Sequence, residues 1–414
     1  MKRRNRSFVL FLAVLLLLPL FGCAEQPYET VGAITDWEDD SSWVLPRIKG
    51  GVLSDEGYYY TNDSMLYFAD TANGIEVCLC SKPGCLHEKG TPQEQEWCDA
   101  FIFGSALMPM FFWDDHLFYI ERDLYGTHVY RRNADGTALT VVADLGTQYT
   151  KERKSVLVGY YAHVGDYLYY DATVESTVLT ENEETTLTEM SYIGRLDLKT
   201  NKEEILVESE FTLLLGAACP DGLLFMYGDN SKVNYEDENY REQLYESPSY
   251  VKFLDSKTGE VTVVLSRKWR DLSGIRAAWG SKLYYSRLGG TWEYDMKTGE
   301  DRSISSGTPI DGQFGLQQVD GKSVLYYIPT GELLPTTFAG ERLSVDTVSH
   351  DAVVLKRTIF KDGVSTSATY CYVKLEDLAD GLQEKDALDL YTYKYRKTPT
   401  SYEEMVEQWE EMYG

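Results

Sequence analysis

The chain has 414 residues, of which 43% are apolar and 25% are charged, as in a folded globular protein. Its 66 acidic and 39 basic residues give a net charge of −27 at pH 7. Nucleic-acid binding relies on Lys and Arg side chains that neutralise phosphates, so this balance excludes nucleic acid as an expected partner. The 32 tyrosines favour strands over helices, since aromatic rings pack well on a half-buried pleated surface.

The first 22 residues have the pattern of a lipoprotein signal peptide. Basic residues cluster in positions 2–6, residues 8–18 are an unbroken apolar run, and Leu20-Phe21-Gly22-Cys23 follows. The apolar run is shorter than the roughly 20 residues that a membrane-spanning helix needs. We therefore predict cleavage before Cys23 and lipidation of Cys23, which would anchor the protein at the extracytoplasmic face of the cell membrane. An ordinary signal peptide and an uncleaved span are the alternatives.

Residues 23–42 carry the predicted lipid anchor and then an acidic segment with little periodic apolar content, which is typical of a tether. Residues 43–48 are predicted to form an early strand. In propellers such a strand often completes the last sheet and thereby closes the ring.

A turn residue followed by an apolar, aromatic-rich run recurs along residues 43–398. The clearest copy is Gly165-Asp166-Tyr167-Leu168-Tyr169-Tyr170. A leucine marks each copy, at intervals of roughly 40–60 residues, and the markers are Leu66, Leu117, Leu168, Leu224, Leu283 and Leu325. Repeats of this size are typical of small antiparallel sheets, so the chain is predicted to be all-β, a β-propeller of about seven blades. Six blades is the alternative, because few residues separate Leu325 from the next strand at Val354.

Polar stretches such as Asp255-Ser256-Lys257-Thr258-Gly259 are predicted to be hairpin turns, because they lack the alternating oxygen ligands of a calcium loop. Two longer polar insertions interrupt the repeats, at residues 180–190 and 229–250. The second offers aromatic and polar side chains that suit stacking on a sugar or peptide, although a solvated loop would have the same composition. Its candidate ligand contacts are Tyr235, Tyr240, Arg241 and Tyr245.

Residues 399–414 have apolar side chains at helical spacing behind a capping-box pattern at Ser401 and Glu404, and they predict a short amphipathic helix. The helix lacks a basic face. We therefore expect it to pack on the propeller and not on a membrane.

Five potential metal ligands lie within 21 residues: Cys78, Cys80, Cys85, His87 and Cys98. Thiolate and imidazole are the ligands that Zn²⁺ prefers, and four of them could close a tetrahedral structural site. An exported protein also meets conditions that permit disulfides, either Cys80 with Cys85 or Cys78 with Cys98. Metal, disulfide and free thiols all remain open, and each makes the cluster structural.

No nucleophile elbow, phosphate loop or zinc-protease helix occurs in the sequence, so no catalytic residue is assigned. Together, the lipobox, the Leu-Tyr-Tyr repeats and the stretch Cys80-Ser81-Lys82-Pro83-Gly84-Cys85-Leu86-His87 resemble those of uncharacterised propeller-type lipoproteins from Gram-positive anaerobic bacteria. This resemblance implies an envelope lipoprotein with a propeller fold, and it implies no activity.

Three functions are considered, in order of preference. The first is a lipid-anchored module that binds or scaffolds a protein, peptide or glycan, and the second is a carbohydrate-active envelope enzyme. The third is a structural subunit of a larger envelope complex. A central channel lined by small and apolar residues favours the binding module, whereas inward-facing Asp, Glu, His and Arg would favour the enzyme.

Overall fold

The chain is a seven-bladed β-propeller built from antiparallel four-stranded sheets, and each sheet uses four strands that are consecutive in sequence. The computed structural model describes residues 43–44, 51–62, 64–85, 87, 98–102, 109–122, 126–150, 154–179, 184–287, 290–305, 307–338, 342–361 and 364–395. The predicted signal peptide, Cys23, the tether and the C-terminal helix over residues 399–414 lie outside these ranges. No helix in the described part of the chain is long and apolar enough to cross a membrane.

The first four blades occupy residues 52–268. Blade 1 contains β1 (Val52–Leu53), β2 (Gly57–Asn62), β3 (Met65–Asp70) and β4 (Glu76–Cys78). Blade 2 contains β5 (Met110–Trp113), β6 (His116–Arg122), β7 (Thr127–Asn133) and β8 (Thr140–Leu145). Blade 3 follows the short helix α1 (Thr147–Thr150) and contains β9 (Ser155–Val164), β10 (Tyr167–Leu179), β11 (Glu184–Asp197) and β12 (Lys202–Ser209). Blade 4 contains β13 (Leu213–Cys219), β14 (Gly222–Gly228), helix α2 (Tyr240–Glu246), β15 (Pro248–Asp255) and β16 (Val261–Lys268).

The last three blades occupy residues 274–394. Blade 5 follows a 3₁₀ turn (Trp269–Asp271) and contains β17 (Gly274–Trp279), β18 (Lys282–Arg287), β19 (Gly290–Asp295) and β20 (Asp301–Ser305). Blade 6 contains β21 (Thr308–Pro309), β22 (Phe314–Val319), β23 (Lys322–Tyr327) and β24 (Glu332–Leu334). Blade 7 contains β25 (Arg342–Val348), β26 (Ala352–Lys361), β27 (Val364–Lys374), two 3₁₀ turns (Leu375–Asp380 and Glu384–Asp386) and β28 (Leu388–Lys394).

The seven sheets confirm the predicted blade count, and their strands explain why the repeat intervals are irregular. Four of the marker leucines lie on second strands, but Leu66 lies on β3 and Leu325 on β23, which are third strands. Only one outer strand and one inner strand therefore separate Leu325 from β26. Because that interval is short, the sequence alone also allows a count of six blades.

Two kinds of turn meet at one end of the blades. The Asp255 carboxylate accepts the backbone N–H groups of Lys257 and Thr258, which makes the predicted Asp-x-Lys-Thr-Gly hairpin turn. Lys257 then reaches the turn between β13 and β14 and pairs with Asp221 at 2.7 Å. Blade 3 repeats this contact between Lys199 and Asp166, at 2.6 Å. The opposite end, which we call the insertion face, carries the connections from second to third strands and from fourth strands to the next blade, including residues 229–247.

The core is divided among the blade interfaces. Each pair of adjacent blades shares one cluster of buried apolar side chains, and seven such clusters occur among the described residues. The cluster between blades 5 and 6 has four buried members, Ala277, Tyr284, Tyr326 and Ile328. A four-stranded blade needs a neighbour on each side, because a single sheet cannot bury the apolar side chains of both its faces by itself.

The described residues of the predicted early strand, Trp43 and Val44, do not pair with the last blade. Val44 instead forms an antiparallel bridge with Ala218 on the innermost strand of blade 4. The indole of Trp43 donates a hydrogen bond to the Gly280 carbonyl at 3.0 Å and packs edge-on against Phe253. All four described strands of blade 7 come from residues 342–394.

Tyrosines join the last blade to the first. Tyr58 and Tyr60 on β2 pack against Tyr391 on β28, which stacks in turn on Tyr370 on β27, and the Tyr60 and Tyr391 ring centroids lie 3.7 Å apart. The Tyr58 hydroxyl donates to the Asp346 carboxylate at 2.7 Å. We call this group the seam; it supplies the contact that a shared strand would otherwise make.

Candidate metal centre and ligand cleft

The predicted cysteine cluster lies where the chain leaves blade 1. Cys78 ends β4, and a tight turn follows in which the Cys85 N–H donates to the Lys82 carbonyl at 3.2 Å. Gly84 has a φ of +77°, a conformation that favours glycine over other residues. The turn thus brings Cys80 and Cys85 to the same side of the segment.

Four of the five predicted ligands come together. The ligand atoms of Cys80, Cys85, His87 and Cys98 all lie within 4.8 Å of one another, and the Cys98 Sγ lies 3.6 Å from the His87 Nδ1. Cys78 lies outside this group. The six cysteines of the described region are free thiols, so neither of the two predicted disulfides is formed in this structure.

The donor set fits Zn²⁺. Zinc bound at about 2.3 Å from each sulfur requires sulfur atoms separated by about 3.8 Å in a tetrahedron, and this group needs only a small contraction to reach that spacing. Burial by itself would raise the pKa of the Cys80 thiol, but the backbone N–H groups of Lys82 and Asp99 donate to it and bring the pKa below its ordinary value. Three sulfurs and one imidazole would leave no open coordination position, which is the arrangement of a structural site.

The segment around Cys98 is held by charged side chains. Asp99 forms an ion pair with Lys82 at 3.1 Å and accepts a hydrogen bond from the Ser81 hydroxyl at 2.9 Å. Arg132 on β7 is buried and donates to the main-chain carbonyls of Asp99 and Phe101. These contacts tie the cysteine segment to blade 2.

The candidate ligand residues of the 229–250 insertion do not form one site. Tyr235 and Tyr240 lie with ring centroids 6.1 Å apart, and the Arg241 guanidinium lies 5.9 Å from the centroid of the Tyr240 ring. Tyr245, also on α2, lines a separate 750 Å³ cleft on the insertion face, which extends over blade 5 to the start of blade 6. The other side chains of this cleft include Trp269, Arg270, Ser273, Arg276 and Arg287, and no sequence motif marks any of them.

The innermost strands of blades 1 to 3 border a mainly apolar space. A 120 Å³ cavity there is lined by aliphatic and aromatic side chains from β1, β5 and β9, with Val44 from the N-terminal segment. His163 also lines it, stacked on Phe111 at 4.8 Å, with Nε2 2.8 Å from the Gly165 carbonyl oxygen. Burial lowers the pKa of His163. No Asp, Glu or Arg is among the described residues that line this cavity.

Asp171 on β10 has a buried carboxylate that accepts hydrogen bonds from two neighbouring strands. Its Oδ1 accepts the Tyr160 N–H at 2.9 Å, and its Oδ2 accepts the Leu215 N–H at 2.7 Å. A side chain at Gly159 would collide with this carboxylate, so the strand needs glycine there. Burial raises the pKa of Asp171 to about 7, although the N–H donors oppose the shift. Because backbone groups of β9 and β13 occupy both oxygens, the carboxylate joins blades 3 and 4.

Comparison with known proteins supports the fold. No protein-family model matches the chain, and no curated protein matches it. A puromycin-hydrolysing peptidase from Mycobacterium tuberculosis is 10% identical in sequence with a TM-score of 0.53, and the match covers 91% of this chain and 58% of the peptidase. The chain therefore spans less than two thirds of that protein. Prolyl oligopeptidase B from Galerina marginata is 13% identical with a TM-score of 0.48, covering 87% of this chain and 52% of the other. At 10% identity, the likeness to the peptidase shows the propeller fold alone.

Proposed function

We propose that this protein is a lipid-anchored binding module of the cell envelope, held at the extracytoplasmic face of the membrane through lipid on Cys23. Its ligand is a protein, a peptide or a glycan. The anchor is inferred from the lipobox and the basic, apolar leader. The overall resemblance to uncharacterised propeller-type lipoproteins supports the same location.

The observation that carries the binding assignment is the apolar lining of the cavity beside the innermost strands of blades 1 to 3. A propeller enzyme that worked at this cavity would need convergent polar groups there, whereas the cavity is lined by Val44, Phe111 and similar side chains. Polar side chains converge instead at the cleft on the insertion face, beside α2. A rigid ring that presents an open recess suits recognition.

The cysteine cluster has a supporting part in this proposal. Zn²⁺ held by Cys80, Cys85, His87 and Cys98 would fix the segment that links blades 1 and 2, and it would supply folding energy and no reaction. The rest of the propeller would then present its insertion face on a stable frame.

The anchor is tested by metabolic labelling of the full chain with an alkyne fatty acid in a Gram-positive host. Wild type should take up the label and sediment with membranes, and Cys23→Ala should lose the label. Cys78→Ala is the matched control, because this thiol lies outside the four-ligand group and the variant should stay labelled. Label on Cys23→Ala, or none on wild type, would overturn the anchor.

Binding is tested by incubating the purified protein with fragments of envelope glycan and peptide and following them by equilibrium dialysis and mass spectrometry. We expect retention of a fragment with unchanged mass. Shortened products would instead support the alternative, a carbohydrate-active enzyme on a propeller. Retention of no fragment would overturn the binding assignment.

A further inference from the structure

The cleft beside α2 and blade 5 has a local charge opposite to that of the protein. We propose that it binds an anionic saccharide, one that carries carboxylate or phosphate groups. This inference rests on the proposed binding function and names the ligand class.

Three arginines line the cleft in a chain whose net charge is −27: Arg270, Arg276 and Arg287. No Asp or Glu is among the described residues that line it. The Glu246 carboxylate lies near the cleft without lining it, and it is shared by two cations: it pairs with Arg270 at 2.6 Å and with Lys268 at 2.5 Å. The guanidinium groups therefore give the cleft a local excess of positive charge, which attracts an anion.

Arg276 is the arginine best placed to meet a ligand. Its side chain is exposed near the start of β17, and its Nε donates to the Ser286 hydroxyl across the β17–β18 pair. No carboxylate in the described part of the chain forms an ion pair with it. The two terminal nitrogens of the Arg276 guanidinium thus remain available at the cleft wall. A guanidinium can donate two parallel hydrogen bonds to a carboxylate or a phosphate.

Arg287 is held in place by the protein itself. Its Nε lies 3.3 Å from the Asp271 carboxylate, and its guanidinium lies 4.4 Å from the Trp292 ring centroid. A fixed planar group loses little entropy on binding. Arg270 is held similarly by Glu246, so the cleft presents oriented donors.

Aromatic and hydroxyl groups complete the walls and favour a saccharide. Tyr245 is 52% exposed and Trp269 lines the same cleft, and ring faces of this kind stack on the apolar face of a sugar. Ser273 and Thr308 add hydroxyls. A peptide that binds by adding a strand would need an open strand edge, whereas these walls present side chains. A long polyanion would also meet the acidic remainder of the surface.

The test uses detergent-solubilised full-length protein and isothermal titration calorimetry with three probes. These are a uronic-acid tetrasaccharide, the same tetrasaccharide with its carboxyl groups reduced to alcohols, and the reduced tetrasaccharide with phosphate groups on those alcohols. We expect binding of at least one anionic probe, binding of the reduced one that is weaker by about tenfold or more, and a loss of affinity as salt rises. The two anionic probes decide whether the group recognised is carboxylate or phosphate.

Arg276→Gln should weaken binding of the anionic probe by about tenfold or more, because a two-point charged contact is removed. Arg342→Gln, at an exposed arginine on β25 of blade 7, is the matched control and should bind as wild type does. Thermal melting of both variants should be unchanged, since both side chains are exposed. Equal binding of the reduced probe, or no effect of Arg276→Gln, would overturn this inference. Retention of some other envelope fragment would leave the binding function standing, so the two failures are distinguishable.

Discussion

The rings of Tyr60 and Tyr391 lie 3.7 Å apart and within 7° of parallel across the boundary between the first and last blades. These residues come from β2 and β28, near opposite ends of the described chain. Burial raises the pKa of both hydroxyls far above the ordinary tyrosine value, so both hydroxyls stay protonated in physiological conditions. Packed side chains thus join the first and last blades across this boundary.

Replacing a seam tyrosine should therefore destabilise the whole ring. We expect Tyr391→Leu to lower the free energy of unfolding by about 2–4 kcal/mol, through lost stacking and a cavity between blades 1 and 7. Chemical denaturation followed by circular dichroism measures this loss. Tyr235→Leu is the control, since Tyr235 is 57% exposed, and it should cost about 0.5 kcal/mol or less. An equal loss in the two variants would mean that the seam does not hold the ring closed.

Asp171 should contribute more to the stability of the folded protein at acidic pH than at alkaline pH. Asp171→Ala leaves backbone N–H groups of blades 3 and 4 without an acceptor and should cost about 2–4 kcal/mol near pH 5. The folded-state pKa is raised to about 7 from an ordinary value of 3.8, so the contribution of this carboxyl to stability is complete below that ordinary value and is lost as pH rises through about 7. The cost of the substitution should thus be smaller at pH 8, by about 2 kcal/mol.

Denaturation of wild type and Asp171→Ala at pH 5 and pH 8 measures this difference. Asp255→Ala, at an exposed hairpin turn, should show a small cost that does not vary between the two pH values. If Asp171→Ala costs more at pH 8 than at pH 5, the N–H donors outweigh burial and the direction given for the pKa is wrong.

The cysteine cluster should bind about one equivalent of Zn²⁺. Elemental analysis of protein purified without chelator should find the metal in wild type and in Cys78→Ser, and should not find it in Cys98→Ser. A chelator with a thiol reagent should release the metal and lower the melting temperature, because metal binding is coupled to folding. Metal-free protein whose thiols become reactive only after reduction would instead identify disulfides.

Local patterns are enough to predict the fold class. The run Tyr167-Leu168-Tyr169-Tyr170 follows a Gly-Asp turn, and Asp255 precedes Ser-Lys-Thr-Gly, so strand and hairpin are both specified by neighbours in sequence. The same holds for the turn at Gly84, where the Pro-Gly pair between Cys80 and Cys85 predicts that the two thiols approach each other. This cluster can be found in the sequence because its members are close in the chain.

Long-range pairing decides the rest. Leu283 and Leu325 have similar neighbours in sequence, yet one lies on a second strand and the other on a third, because strand position depends on which neighbour pairs with it. Arg270, Arg276 and Arg287 carry no shared motif; the 3₁₀ turn and the β17–β18 pairing bring them to one cleft. Tyr60 and Tyr391 meet only when the ring closes. The amino-acid sequence by itself determines the repeating unit, since its signals are local, whereas the seam and the cleft arise from contacts between units, which no local pattern encodes.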